Sequence, residues 1–323
     1  MRRVMLFIPT LIMVSIVAFI LIQLPPGDYV TAYAATLAAS GEHVDEAMLA
    51  ALRKRYGLGQ PIYVQYAKWM WSMLHGDFGV SFEWNKPVGE MIWSRLFLTV
   101  VISASTMLFT WIVAIPIGIY SATHQYSTGD YLATILGFIG MGIPNFMIAL
   151  VLLWVGYSYF GADIGGLFSS EFQEASWSLA KVGDLLEHLW VPIIVLGMSG
   201  TAWTIRSTRA NLLDELHRSY VTTARSKGLT ERKLLWKYPV RVALNPFFST
   251  VGYSLPNLIS GATIISVVLS LPTTGPLLLR ALMSQDMYLA GSFLMMLSLL
   301  TVVGTLMSDL ILAWIDPRIR YRG

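Results

Sequence analysis

The chain has 323 residues, of which 55% are hydrophobic and only 13% are charged. A soluble globular domain carries about 25% charged residues, so this deficit points to a membrane protein before any segment is inspected. Cysteine is absent, which excludes a disulfide framework, a thiolate metal site and a cysteine nucleophile, and the net charge of +3 matters less than where the charges fall.

In chain order, residues 4–24 form an uncharged apolar block behind Arg2 and Arg3. The block is longer than the ~7–15 apolar residues of a signal-peptide core. It therefore reads as a retained span, although Ala32-Tyr33-Ala34 has the form of a cleavage site. Residues 25–95 follow, with six basic and seven acidic residues. Within them 42–56 predicts a helix, with acids early and Arg53, Lys54 and Arg55 late, an order that suits the helix dipole. Gly57 is placed to stop it. Tyr63, Tyr66, Trp69 and Trp71 make 60–75 rich in aromatics, which reads as a small cap packed on the bilayer interface.

Residues 96–120 and 131–160 are two further uncharged blocks. About 20 apolar residues cross ~30 Å of hydrocarbon, so the second is over-long and predicts a tilted or protruding span. Residues 161–188 hold Asp163, Glu171, Glu174, Asp184 and Glu187 against Lys181 alone. Block 189–205 runs straight into residues 206–245, which carry nine Lys or Arg and three acids. Block 246–271 is uncharged, and 288–315 holds Asp309 near its end, before Arg318, Arg320 and Arg322. The positive-inside rule puts Arg2, Arg3, 206–245 and the tail in the cytoplasm, and 25–95 and 161–188 outside. Six spans with both termini inside satisfy every count. The fold class is an all-α polytopic membrane protein, with 1–323 as one transmembrane domain.

No phosphate-cradling G-x-x-x-x-G-K-[ST] occurs, and there is no G-x-S-x-G elbow. The histidines at 43, 75, 124, 188 and 217 are scattered, so no metal-ligand spacing and no catalytic set is expected. His217 reads as a solvated helix residue. No internal repeat or low-complexity tract is visible. The Leu, Val and Trp residues interleaved through 206–245 argue against a plain charge patch for nucleic acid or lipid. Pro116-Ile117-Gly118, the stretch from Gly140 to Asn145, Pro192 with Gly197 and Gly200, and Pro256 with Gly261 are each expected to break a helix. They serve either close packing through small residues or a flexible pathway lining. Pro144, Asn145 and Pro256 are the pathway candidates from this set.

Four blocks carry a family resemblance. They are Leu24-Pro25-Pro26-Gly27-Asp28; the run from Arg55 through Gly57, Gly59 and Pro61 to Tyr66, with Gly76-Asp77-Phe78-Gly79-Val80-Ser81 and Pro87-Val88; the run from Asp214 to Gly228, ending Thr222-Thr223-Ala224-Arg225-Ser226-Lys227-Gly228, with Leu229-Thr230-Glu231-Arg232; and Asp316-Pro317-Arg318-Ile319-Arg320-Tyr321. In this order and spacing they resemble the peptide/nickel-type permeases of ABC importers, in the half represented by the B subunits of dipeptide and oligopeptide systems. The resemblance implies a type I importer-permease fold with six transmembrane helices, in a bacterial or archaeal cytoplasmic (inner) membrane. It implies a second homologous permease, two ATPase subunits and an extracytoplasmic solute-binding protein as partners. ATP and Mg would sit on the ATPases, with no cofactor in this chain, which is a transport subunit and not an enzyme. The 25–95 insertion is then a candidate docking surface for the binding protein.

The resemblance also makes 206–245 the ATPase-docking segment, with Thr222, Thr223, Ala224, Arg225, Lys227 and Gly228 as its docking residues. The general docking pattern begins Glu-Ala-Ala; here those positions are Thr222, Thr223 and Ala224. Small residues on one face would enter a groove, Gly228 would end the helix, and Arg225 and Lys227 would meet acids on the ATPase. The competing reading is an amphipathic helix lying on the inner leaflet. The family often carries an acid late in span five, and that position here is Ser266, a fourth pathway candidate. An acid there would be a functional site by default, so the neutral residue bears on the substrate. Oligopeptide is the first expectation, oligosaccharide or glycoside the second and nickel the third. An ion-driven secondary transporter is a remote alternative, since the chain shows neither inverted repeats nor charges deep in its spans. A non-transporting scaffold would not need spans broken by Gly and Pro.

Overall fold

The computed structural model describes residues 2–24, 27–40, 45–161, 164–247 and 263–315. Among these residues every regular element is a helix, apart from one isolated bridge between Val80 and Pro87. The helices in chain order are α1 (Arg2–Gln23), α2 (Tyr29–Ala39), α3 (Glu46–Tyr56), α4 (Ile62–Leu74), α5 (Val88–Thr123), α6 (Thr128–Gly142), α7 (Asn145–Phe160) and α8 (Leu179–His188). They continue with α9 (Trp190–Leu216), α10 (Ser219–Ser226), α11 (Glu231–Lys237), α12 (Pro239–Ala243), α13 (Thr263–Val268), α14 (Thr274–Met283) and α15 (Met287–Ile315). The chain forms two compact units, Met1–Thr99 with Thr273–Val303, and Val100–Pro272 with Gly304–Gly323.

The first unit is built around Trp69. On α1, Ser15, Ala18, Phe19 and Ile22 are buried, the i, i+3, i+4, i+7 stripe of one helix face. The other face is equally apolar yet exposed, through Ile12, Met13, Ile16 and Ile20. A helix apolar all round, with only one stripe covered by protein, suits hydrocarbon on its other side. Phe19 meets Tyr66 edge-on at 5.3 Å and lies 5.8 Å from Trp69. Trp69 is 2% exposed, so this aromatic of the 60–75 stretch belongs to the protein interior and not to a bilayer-facing cap. Trp71 and Tyr63 remain exposed. On α15, Gly291 permits close approach, because a Cβ there would stand 2.9 Å from the Trp69 ring.

The helix predicted over 42–56 is α3. Asp45 caps it by accepting from the Ala47 N–H at 2.9 Å, and Gly57 ends it in the left-handed region. Residues 42–44 lie outside the described residues. Asp28 of the first block caps α2, accepting from the Thr31 N–H at 2.7 Å, and its second oxygen accepts from Arg53 at 3.2 Å. That contact ties α2 to α3.

In the second unit α6, α7, α8 and α12 all pack on α9. Three of the expected breaks can be compared with the structure, since Pro256 lies outside the described residues. The helix α5 runs unbroken through Pro116, and Pro192 sits in the first turn of α9, where its missing N–H has no intrahelical partner to lose. Only Pro144 breaks its segment. Ile143 before it is extended, as the proline ring demands, and α6 and α7 meet at 95°. The block 131–160 is therefore a bent pair, not one tilted span. Two helices are long and apolar enough to cross a membrane, α5 at mean hydropathy 2.1 and the Met287–Leu306 part of α15 at 2.0, and the bent pair makes a third if it counts as one crossing. At 36 residues α5 is about 54 Å long, well beyond the hydrocarbon thickness.

Candidate functional site

The segment 206–245 starts as helix. α9 continues from its apolar start through Arg206 and Arg209 to Leu216 without interruption, 27 residues in all. At about 1.5 Å per residue this is a rod of roughly 40 Å. A turn at His217 and Arg218 leads to α10. Gly228 then takes φ +76, a conformation costly for residues with a Cβ, and Thr230 begins α11. α10 packs on α11, α11 on α12, and α12 on α9. Leu212 of α9 is fully buried with Val240 and Ala243 of α12 and Ile119 of α5, so the later part of the candidate docking segment is seated on two long helices.

The candidate docking residues separate into two faces. Thr222, Thr223, Arg225, Ser226, Lys227 and Gly228 are exposed. Ala224 is buried with Val221 against Leu234 of α11. The expectation that Ala224 enters a partner's groove is thus corrected: its small side chain is what lets α10 lie close on α11. Arg225 is also engaged within the chain, donating from Nε and Nη2 to the two oxygens of Glu231 at 2.5 and 3.0 Å. This pairing raises the Arg225 pKa and lowers that of Glu231. Nothing stands within 4 Å of a Cβ built on Gly228, so its requirement is the backbone angle and not space.

Beside α10 lies an open hollow of about 600 Å³, lined among others by Thr223, Lys227, Lys237, Tyr238 and Arg241. Three cations thus border it, against Glu215. Glu215 accepts from the Tyr220 hydroxyl at 2.5 Å and lies 3.8 Å from Arg218. Burial and then this hydrogen bond raise the Tyr220 pKa, so the phenol stays protonated.

The described pathway candidates lie at the α6–α7 bend and on α13, which packs on α7. Asn145 opens α7 at the bend, and its Nδ2 donates to Ser199 Oγ of α9 at 3.1 Å. Pro144 beside it is exposed. Ser266 lies on α13 and is 2% exposed, facing neighbouring helices of this chain. Pro256 lies outside the described residues. No cluster of three or more metal-ligating side chains occurs among the described residues.

Two polar junctions were not expected from the sequence. Asp130, in the first turn of α6, receives Arg209 of α9 through paired hydrogen bonds of 3.0 Å each, and also accepts from Ser121 and from the Tyr126 N–H at 2.9 Å. Asp286, fully buried ahead of α15, accepts from Ser81 Oγ at 2.5 Å and from the Phe82 N–H at 2.8 Å, while its other oxygen accepts from the Leu289 N–H at 3.2 Å. The second block of the resemblance is folded onto this carboxylate. The partners are 79 and 205 residues apart, and no local spacing links them.

Residues 114–321 match the family described as the binding-protein-dependent transport system inner membrane component, and residues 1–103 match the N-terminal part of such membrane components. The chain belongs to this family. The permease is similar along its whole length to curated relatives. It is 33% identical to the oligopeptide transport system permease protein AppB of Bacillus subtilis, over 99% of this chain and 98% of that one. It is 32% identical to the dipeptide transport system permease protein DppB of Alkalihalophilus pseudofirmus, with the same coverage. It is 29% identical to the glutathione transport system permease protein GsiC of Salmonella typhimurium, over 100% of this chain and 98% of that one. The protein is a multi-pass membrane permease subunit of an ABC importer.

Proposed function

We propose that this permease imports oligopeptides, working with a second homologous permease, two ATPase subunits that bind ATP and Mg, and an extracytoplasmic solute-binding protein. Its relatives carry oligopeptide, dipeptide and glutathione transport in their names. Six spans place both termini and 206–245 in the cytoplasm and the 25–95 insertion outside. The observation that carries the docking assignment is the exposed Thr222 and Thr223 edge of α10, closed by the left-handed Gly228 and borne on the unbroken α9. ATP binding closes the ATPases, α10 passes that motion to α9, and the complex changes between inward- and outward-facing states according to which each ligand contacts better.

The test uses the reconstituted four-subunit complex with its binding protein. Thr223→Trp adds bulk to the exposed edge and should abolish uptake and substrate-stimulated ATP hydrolysis, while binding of substrate by the receptor survives. Normal uptake by this variant and by Thr222→Trp would remove the docking assignment.

A second reading is import of a neutral oligosaccharide or glycoside. The family resemblance puts an acid at the position of Ser266, and a neutral residue there removes a carboxylate that could compensate a cationic solute, although Ser266 itself is packed inside this chain. Identifying the ligand of the cognate binding protein, followed by vesicle uptake, decides between peptide and sugar.

A further inference from the structure

The helix α8 buries two charged side chains. Lys181 and Asp184 lie on its covered side, together with Leu185. Both charges are satisfied there. Lys181 Nζ donates to the Ala175 carbonyl at 2.6 Å and lies over the Phe168 ring at 4.8 Å. Asp184 accepts from the Ser169 N–H at 2.9 Å and from the Ser169 hydroxyl, and His188 lies 3.6 Å from its carboxylate. Burial alone would raise the Asp184 pKa, but the two Ser169 bonds together with nearby His188 and Lys181 outweigh it and hold the carboxyl below its usual value.

The outward face is apolar. Leu179 is 92% exposed and Leu186 64%, with Val182 between them and Trp190, the first residue of α9, continuing the line. At 3.6 residues per turn these four positions fall within an arc of about 80°. One exposed charge, Glu187, lies at its edge. A helix facing water would present Lys181 and Asp184 outward and bury Leu179 and Leu186 as it buries Leu185. The helix lies between Phe160, the end of α7, and the start of α9, on which it packs. The C-terminal part of α7 exposes Trp154, Tyr157, Tyr159 and Phe160, the aromatic set that concentrates where a bilayer meets water.

We infer that α8 lies in the outer headgroup region of the bilayer, with the Leu179, Val182 and Leu186 stripe set against lipid acyl chains. It is an interfacial helix whose polar side is covered by its own protein instead of by water. A helix of this kind reaches about 5–10 Å into the boundary between headgroups and chains. The inference is independent of what the importer carries.

Single cysteines at Val182 and Leu186 test it in a cysteine-free version of the complete complex in vesicles. Each site is exposed, so neither substitution disturbs a packed contact, and either one suffices if the other fails to assemble. A bimane label should be quenched by phospholipid bearing a spin label high on its acyl chain, less by one near the chain end, and scarcely by iodide in the external water. Adding substrate-loaded binding protein should leave this pattern unchanged. Strong iodide quenching would show a water-facing helix. Quenching by neither agent, or lipid quenching lost when the binding protein is added, would show a protein-covered face. Either result overturns the inference.

Discussion

Arg209 meets Asp130 side by side, Nε to Oδ1 and Nη2 to Oδ2, each at 3.0 Å. The pairing joins the basic stretch of α9 to the first turn of α6, where a carboxylate also suits the helix dipole. The Asp130 side chain is 5% exposed and that of Arg209 30%. Removing one partner leaves the other charge poorly solvated, so Asp130→Ala should destabilise the second unit by about 3 kcal/mol. Removing both charges should cost less than the sum of the two single changes. The thermal midpoints of the detergent-purified complexes, compared as a double-mutant cycle, check this.

Asp286 should matter more than Ser81, although they share one hydrogen bond. Ser81→Ala removes one of several donors to the carboxylate and should cost about 1 kcal/mol. Asp286→Ala takes away a buried acceptor shared by the Ser81 hydroxyl and the Phe82 and Leu289 N–H groups, and should cost about 3 kcal/mol or more. Limited proteolysis within 81–87 should rise sharply only in the second variant.

Gly228 should tolerate size but not branching. With φ +76 and open space around it, Gly228→Asn should keep most transport, since asparagine visits this region readily. Gly228→Val should strain the turn by roughly 1–2 kcal/mol and impair uptake. Equal loss in both variants would instead point to a tight contact with a partner.

Ala224→Arg should fail for a different reason from Thr222→Arg. The first forces a charge between Val221 and Leu234 and should loosen α10 from α11, seen as faster hydrogen exchange across 219–238. The second points outward and should leave exchange unchanged while weakening ATPase association.

Labelling with an impermeant thiol reagent should read the topology. Ser40→Cys should react from outside the cell and Ser226→Cys only after permeabilisation. The reverse pattern would invert the orientation derived from the Lys and Arg positions.

Much of the first unit was legible because its signals are local. The acids, bases and glycine around α3 announce a helix with both ends defined, and the Gly-Asp-Phe-Gly-Val-Ser block carries part of the family resemblance. What that block folds onto was not legible, because Asp286 comes 205 residues after Ser81. The broken spans show a second kind of blindness. Pro116 and Pro144 sit in similar Gly-bearing apolar surroundings, yet only Pro144 breaks its helix. Next to Pro116, Gly118 brings α5 against α9, where a Cβ would come within 2.7 Å of Thr208. Such packing is absent from the sequence. The facing of Ala224 could have been read, since Val221 and Ala224 are spaced i, i+3 and mark a helix's inner side.

The unbroken run of α9 into the candidate docking segment has a consequence for phase. A rod without a joint transmits rotation as faithfully as push, so the azimuth at which α10 leaves α9 is fixed by residue count. One alanine inserted between Arg206 and Arg209 would turn everything beyond it by about 100°. A seven-residue insertion would bring the bearing back to within roughly 20°, only displaced along the axis. Coupling in this permease should therefore follow the periodicity of the helix and not the length of the insert.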